Sequence, residues 1–181
     1  MILGLFRKKP LHGEAAALAG AVTAQSRLPA FFLLPYGAPD TVEGRFEVTV
    51  LNAGLVLRRL STAPAPGPEL AQALSDALFT LFDDALREIG VSDVGVPKKM
   101  HKLAGAFSGR GVAYAKAAQE ERDAEPGAQK NAPLADALAR NVLAGRGDGA
   151  AFADYYRRAE TLLAATALET FLRGEAPFPP P

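Results

Sequence analysis

Residues 94–119 read VGVPKKMHKLAGAFSGRGVAYAKAAQ, and residues 69–93, directly before them, read ELAQALSDALFTLFDDALREIGVSD. Apolar side chains recur every third or fourth position in both: Leu70, Leu74, Ala77, Leu78, Leu81, Leu86 and Ile89, then Met100, Leu103, Phe107 and Tyr114. That is the period of an amphipathic helix. The two predicted helices carry opposite charge. The first holds Glu69, Asp76, Asp83, Asp84, Glu88 and Asp93 against Arg87 alone, whereas the second holds Lys98, Lys99, Lys102, Arg110 and Lys116 and no carboxylate. Pro97 suits a first helical turn, where its missing N–H is harmless, and the turn before it is short, so the helices are expected to be neighbours in space. Such a pair predicts either an internal ion-pair seam or a polarised surface that meets a partner.

Working outward, the rest of the chain is rich in Ala and Leu and poor in β-branched residues, which points to helices throughout. A first helix is predicted from about Gly13 to Leu28, stopped by Pro29, because the residue before a proline is pushed out of the helical region. An aromatic connection with three prolines, Pro29 to Pro39, follows. Asp40 is a cap candidate for the next helix, with Glu43 as capping-box partner and Val42, Phe46, Val50, Ala53 and Leu57 on one face. Residues 46–50 alternate like a strand, but no second strand exists to pair with them, and an isolated strand is unstable. Pro68 opens the acidic helix. After the basic helix, residues 120–131 are charged and contain Pro126-Gly127, a linker signal. Two more helices, about Pro133–Leu143 and Ala150–Leu172, complete an all-α, single-domain bundle of about six helices with Pro/Gly-rich connections. The domain is expected over residues 13–173, between a tail at 1–12 and a Pro-rich tail at 174–181 that cannot form a helix.

The chain has 181 residues, 20 Lys and Arg against 20 Asp and Glu, no Cys and two His. Thiolate chemistry, disulfides and Cys-based metal sites are excluded, and the isolated His12 and His101 give no metal-ligand or triad spacing. No catalytic residue, metal, cofactor or small-molecule substrate is therefore expected. Asp83 and Asp84 are adjacent in a helix and point about 100° apart, so they do not converge as a metal pair; one is expected to face Arg45, Arg110 or a lysine of the basic helix. Gly105, Gly109 and Gly111 each cost a helix about 1 kcal/mol relative to Ala, which predicts close approach by another helix or a bend. They match neither a dinucleotide fingerprint nor a P-loop. Lys98, Lys99 and Lys102 have two readings, a solvated face or a phosphate-binding patch on RNA. No apolar run reaches the roughly 20 residues of a membrane span. The opening Met-Ile-Leu-Gly-Leu-Phe before Arg7, Lys8 and Lys9 inverts the order of a secretory signal. It reads either as a tail or as a segment that dips into an anionic membrane surface.

Several segments together resemble the ubiquinol-cytochrome c chaperone family: Ala24-Gln25-Ser26-Arg27-Leu28-Pro29-Ala30-Phe31, residues 39–47 (PDTVEGRFE), residues 86–93 (LREIGVSD), Val96-Pro97-Lys98-Lys99-Met100 and Ala106-Phe107-Ser108-Gly109-Arg110. The likeness covers about residues 15–118 and is architectural beyond Gln119. The sequence departs from the family pattern at Ser108, where an aromatic is usual, and at Leu28, where a second basic residue is common. The resemblance implies a non-enzymatic helical chaperone that binds newly made cytochrome b before haem loading and assembly of respiratory complex III. In mitochondrial relatives a second assembly factor and the ribosomal exit region are partners. Without a transit-like leader, a bacterial relative in the cytoplasm, peripheral on the inner membrane, is the expectation; a ribosome- or nucleic-acid-binding module is the alternative.

The candidate partner-binding residues are Asp40, Arg45, Arg87, Asp93, Lys98, Lys99, Met100, Lys102, Gly109 and Arg110. Phe31, Phe32 and Tyr36 are candidate apolar contacts, on the condition that they are exposed; Phe107 and Tyr114 follow the helical stripe and read as core.

Overall fold

Helix α2, Val42–Ser61, is enclosed on most of its circumference: Val48, Val50, Leu51, Asn52, Ala53, Leu55, Val56 and Leu60 are all buried. That enclosure explains the strand-like alternation of residues 46–50, since a helix covered on several sides needs apolar residues off its main stripe. The structure, a computed structural model, describes residues 11–124 and 132–181. Around α2 stand α1 (His12–Ser26), α3 (Gly67–Glu88), α4 (Val96–Asp123) and α6 (Ala150–Ala165), with α5 (Pro133–Asn141) between α4 and α6. A 3-10 turn, Pro29–Phe32, starts the connection into α2.

The described residues form seven α-helices and no strand. The seventh, α7 (Leu168–Phe171), arises because Thr166 takes an extended backbone and interrupts the expected last helix. Thr41, rather than Asp40, caps α2: it has the extended backbone of a cap and its hydroxyl accepts the Gly44 N–H at 3.1 Å. Asp40 lies one residue too early for this role. Gly44 packs against the preceding connection so closely that a Cβ would sit 1.9 Å from the Pro39 carbonyl oxygen.

One polar network lies inside this apolar core. Asn52 donates to the Ser26 hydroxyl at 3.2 Å and to the Val48 carbonyl at 3.0 Å. Tyr155 donates to Asn52 Oδ1 at 2.6 Å, and Gln25 Nε2 donates both to the Tyr155 hydroxyl and to the Pro179 carbonyl. Both N–H groups and the carbonyl oxygen of the Asn52 amide are thus engaged, which removes most of the penalty of burying it. The network joins α1, α2, α6 and the C-terminal segment. Phe31 and Tyr36 close it from the connection side, stacking on or edging against Phe152 and Tyr155 with ring centroids 4.9–6.4 Å apart.

Helices α2, α4 and α6 run in the same direction. Glu47 of α2 meets Arg110 of α4 near one end, and Arg58 of α2 and Arg122 of α4 share Glu160 of α6 near the other. Fourteen residues of α4 precede Arg110 but only five of α2 precede Glu47. At 1.5 Å per residue, α4 therefore begins about 14 Å beyond the first turn of α2. The α3–α4 pair overhangs the body accordingly. Buried residues of α3 end at Leu78, and those of α4, Val96 apart, begin at Tyr114. Leu81 and Ile89, expected in the core stripe, are exposed for this reason, and Leu86 is only half-buried. Past Leu78, α3 keeps only partial cover, from Phe46 of α2 and Phe107 of α4.

The basic helix is longer than expected. It runs unbroken to Asp123 and takes in the first residues of the predicted linker, where Glu121 and Arg122 hold Arg157 and Glu160 of α6. Pro126-Gly127 lies outside the described residues, as does the N-terminal segment 1–10.

Replacing Asn52 with Ala leaves the Tyr155 O–H without an acceptor, and urea unfolding is expected to show a loss of about 1–3 kcal/mol. Burial first, ahead of other causes, raises Tyr155, Tyr114 and Tyr156 above the ordinary tyrosine range. The folded state thus favours their neutral forms. The stability they confer is complete below the unfolded value near 10 and is lost as pH rises past it. Unfolding free energy should hold steady to about pH 9.5 and fall above about pH 10, with a shallower fall in Tyr155→Phe.

Candidate partner-binding site at the overhanging helix pair

The site residues chosen from sequence gather largely around the start of α2 and the overhanging pair, in three different states. Asp40 and Arg45 are paired with each other at 2.6 Å, and the Arg45 guanidinium also lies 5.0 Å over the Phe32 ring. Arg87 is clamped between Asp83, one turn earlier on its own helix, and Asp93 of the following turn. These hydrogen bonds raise the Arg87 affinity for its proton, Asp83 foremost. Arg110 makes a bidentate pair with Glu47 at 2.8 and 3.0 Å. Glu47 is the more buried partner, with 12% of its side chain exposed.

Of the two arrangements expected for the acidic and basic helices, the ion-pair seam does not form. Among the described residues no ion pair joins α3 to α4, because Asp83 is satisfied within α3 and Arg110 turns to α2. What joins the two helices is aromatic. Phe79 and Phe82 of α3 meet Phe107 of α4 edge-on at 5.4 and 6.4 Å, and Phe46 of α2 meets Phe82 at 5.3 Å. All four rings are only half-buried. Lys98, Lys99 and Lys102 stand exposed with no ion pair to any described residue. Met100 is half-buried. The charge asymmetry of the sequence is therefore a polarised surface.

The glycine expectation is corrected as well. A Cβ added at Gly105, Gly109 or Gly111 would meet nothing within 4 Å, and α4 does not break there. No described helix approaches them closely. Lys98, Lys102, Gly105, Gly109, Val112 and Lys116, at alternating spacings of four and three, form an exposed, shallow face bordered by lysines.

Phe31 and Tyr36 are buried and hold the core, so the condition for their serving as contacts is not met. Phe32 is half-covered by Arg45. Sequence reasoning missed the residues between them. Leu33 and Leu34 project from the connection, Leu34 with 90% of its surface exposed, because flanking Phe31 and Tyr36 are anchored inside and Gly37 and Ala38 donate back to Leu33 and Phe31. Val42 at the start of α2, and Ile89 and Val94 at the tip of the α3–α4 pair, are exposed too. With Leu81 on the overhanging part of α3, six of the eight large exposed hydrophobics among the described residues thus lie at this end. Clustered exposed apolar side chains of this kind mark interaction surfaces. The aromatic rings at 46, 79 and 82 were also missed; only their co-occurrence with Phe107 across three helices reveals them.

Glu47→Ala would strand a half-buried guanidinium, and urea unfolding should register a loss of about 1–3 kcal/mol. Arg87→Ala, at an exposed pair, should change stability by less than about 1 kcal/mol. Reversing Lys98, Lys99 and Lys102 to Glu should leave the unfolding midpoint nearly unchanged, since no internal partner is lost.

The profile of the ubiquinol-cytochrome C chaperone family matches residues 35–178. It reaches well past Gln119, so the likeness in the second half of the chain is one of sequence as well as of architecture. The crystal structure of the Cbp3 homolog from Brucella abortus superposes with a TM-score of 0.77 at 32% identity, covering 98% of this chain and 96% of that one. Comparison with curated proteins found no significant relative.

Proposed function

The chain belongs to the ubiquinol-cytochrome C chaperone family, and from that premise we propose that it is a non-catalytic assembly chaperone whose client is newly made cytochrome b, held at the overhanging α3–α4 end. The observation that carries the reading is the concentration of exposed apolar side chains there, Leu33, Leu34, Val42, Ile89 and Val94, beside lysines that no internal carboxylate neutralises. A membrane-protein client emerging from synthesis presents apolar segments with charged flanks. Apolar knobs on rigid supports and unpaired cations at the rim are the matching chemistry. The open glycine face of α4 supports the same reading, because a helix can approach a glycine backbone more closely than one studded with side chains.

No described helix is long and apolar enough to cross a membrane. In this proposal the protein works peripherally at the cytoplasmic side of the inner membrane, with the ribosome or a second assembly factor as further partners. The polarised lysines favour one competing reading, a ribosome- or nucleic-acid-binding module.

Deleting the gene is expected to lower cytochrome b and complex III while other respiratory complexes persist. Photo-crosslinkers placed at Leu34, Val94 and Lys98 should capture cytochrome b, while one at Arg140, on α5, should not. Normal complex III in the deletion strain would sink the proposal. Salt-sensitive ribosome co-sedimentation that is abolished by reversing Lys98, Lys99 and Lys102, with no crosslink to cytochrome b, would favour the competing reading.

A further inference from the structure

The C-terminal ends of α2, α4 and α6 surround an open recess of about 650 Å³, lined by Arg58, Arg59, Arg122 and Glu160 together with apolar Leu55 and Leu163. It lies thirteen residues along α2 from Arg45, about 20 Å from the candidate client end. Helix C-termini carry partial negative charge and attract cations, so some basic residues belong there on structural grounds alone. Arg59 meets that need: its Nε and Nη2 donate to the Leu163 and Thr166 carbonyls at 3.0 and 2.9 Å. The Thr62 and Thr166 hydroxyls donate to further terminal carbonyls, those of Arg58 and Leu162.

Arg58 and Arg122 do something else. Arg58 reaches one oxygen of Glu160 through Nη1, and Arg122 reaches the other at 2.8 Å, also through Nη1. Arg122 gives its Nε–Nη2 edge to Gln119, which leaves one N–H on each of Nη1 and Nη2 for a ligand. One carboxylate therefore holds two guanidinium groups beside each other, and the walls contain three guanidiniums against a single carboxylate. Both side chains stay accessible, at 39% and 41% exposure. Like charges brought together with one shared counter-ion leave a positive residue, and guanidinium forks suit the oxygens of phosphate.

We infer that this recess binds a phosphate-class anion, carried either by a lipid headgroup or by a free phosphate. Glu160 is both the organiser of the two arginines and the internal competitor of the ligand. This gives a signature of opposite signs: removing an arginine weakens binding, and neutralising Glu160 strengthens it.

The test uses the full chain, titrated with inorganic phosphate against chloride at constant ionic strength and followed by NMR shifts of the arginine Nε–H groups. In parallel, flotation is measured with phosphatidylcholine vesicles with and without phosphatidylglycerol. Arg58→Gln and Arg122→Gln should weaken binding at least about fivefold, each pair of guanidinium–phosphate contacts being charge-assisted. Glu160→Gln should tighten it about two- to fivefold by removing the competing charge. Arg146→Gln, in the α5–α6 connection, should change nothing. Saturable phosphate binding with this pattern supports a free anion, and the same pattern on anionic vesicles alone supports a headgroup. Arg122→Lys, which keeps the charge and loses the fork, decides the matter if the glutamine variants fail to fold: it too must weaken binding. Equal responses to phosphate and chloride with no preference for anionic vesicles, or binding indifferent to Arg58, Arg122 and Glu160, overturns the inference. Neither outcome bears on the client end, which the crosslinks probe separately.

Discussion

The enclosure of α2, sealed by the Asn52 amide, is the constraint on which the other elements depend. A buried amide with an unmet hydrogen bond is costly, so Ser26 of α1 and Tyr155 of α6 must both be in place at once, while Val48 of α2 itself supplies the third bond. That demand sets where α1 ends, which face α6 turns inward and where the C-terminal segment lies. Apolar packing alone would tolerate sliding of one helix along another; directional bonds from one amide to two other helices do not. Gly44 sharpens the same constraint at the other end, since its missing side chain lets the incoming connection cross the first turn of α2.

With α2 held in register, α4 has one position available, set by Glu47–Arg110 and by the Arg58–Glu160–Arg122 node. Because α4 is longer than α2 and runs parallel to it, the excess length emerges at one end. The surface that projects there is a by-product of this mismatch. Its aromatic rings stay half-buried because too few helices remain to cover them, and its lysines stay unpaired because the nearby carboxylates of α3 have local partners or face solvent. The two ends of the bundle thus differ in character: one apolar and polarised, the other an arginine-lined recess where three helices finish.

Much of this was legible in the residues. The periodicity of 69–119 identified two amphipathic helices, prolines and glycines marked the breaks, and the run of motifs from Pro39 to Arg110 pointed to the family and to the end of the molecule that carries its distinctive residues. The individual roles were less legible. Asp40 looked like a cap because it precedes a helix, yet Thr41 has the backbone geometry that capping needs. Phe31 and Tyr36 were contact candidates only on the condition that they are exposed, and the connection folds inward on them and leaves Leu33 and Leu34 outside. The glycines of α4 implied a close neighbour that none of the described helices provides.

Composition and spacing by themselves determined that the chain is all-helical, that it has no thiol chemistry and that opposite charges lie on consecutive helices, because these properties are local: they depend on residues three or four apart. Which charges pair, which aromatics face solvent and where the arginines at 58, 59 and 122 converge were decided only by the tertiary structure. Those contacts join residues tens of positions apart, and they follow from the length and direction of α2, α4 and α6, which no local pattern encodes.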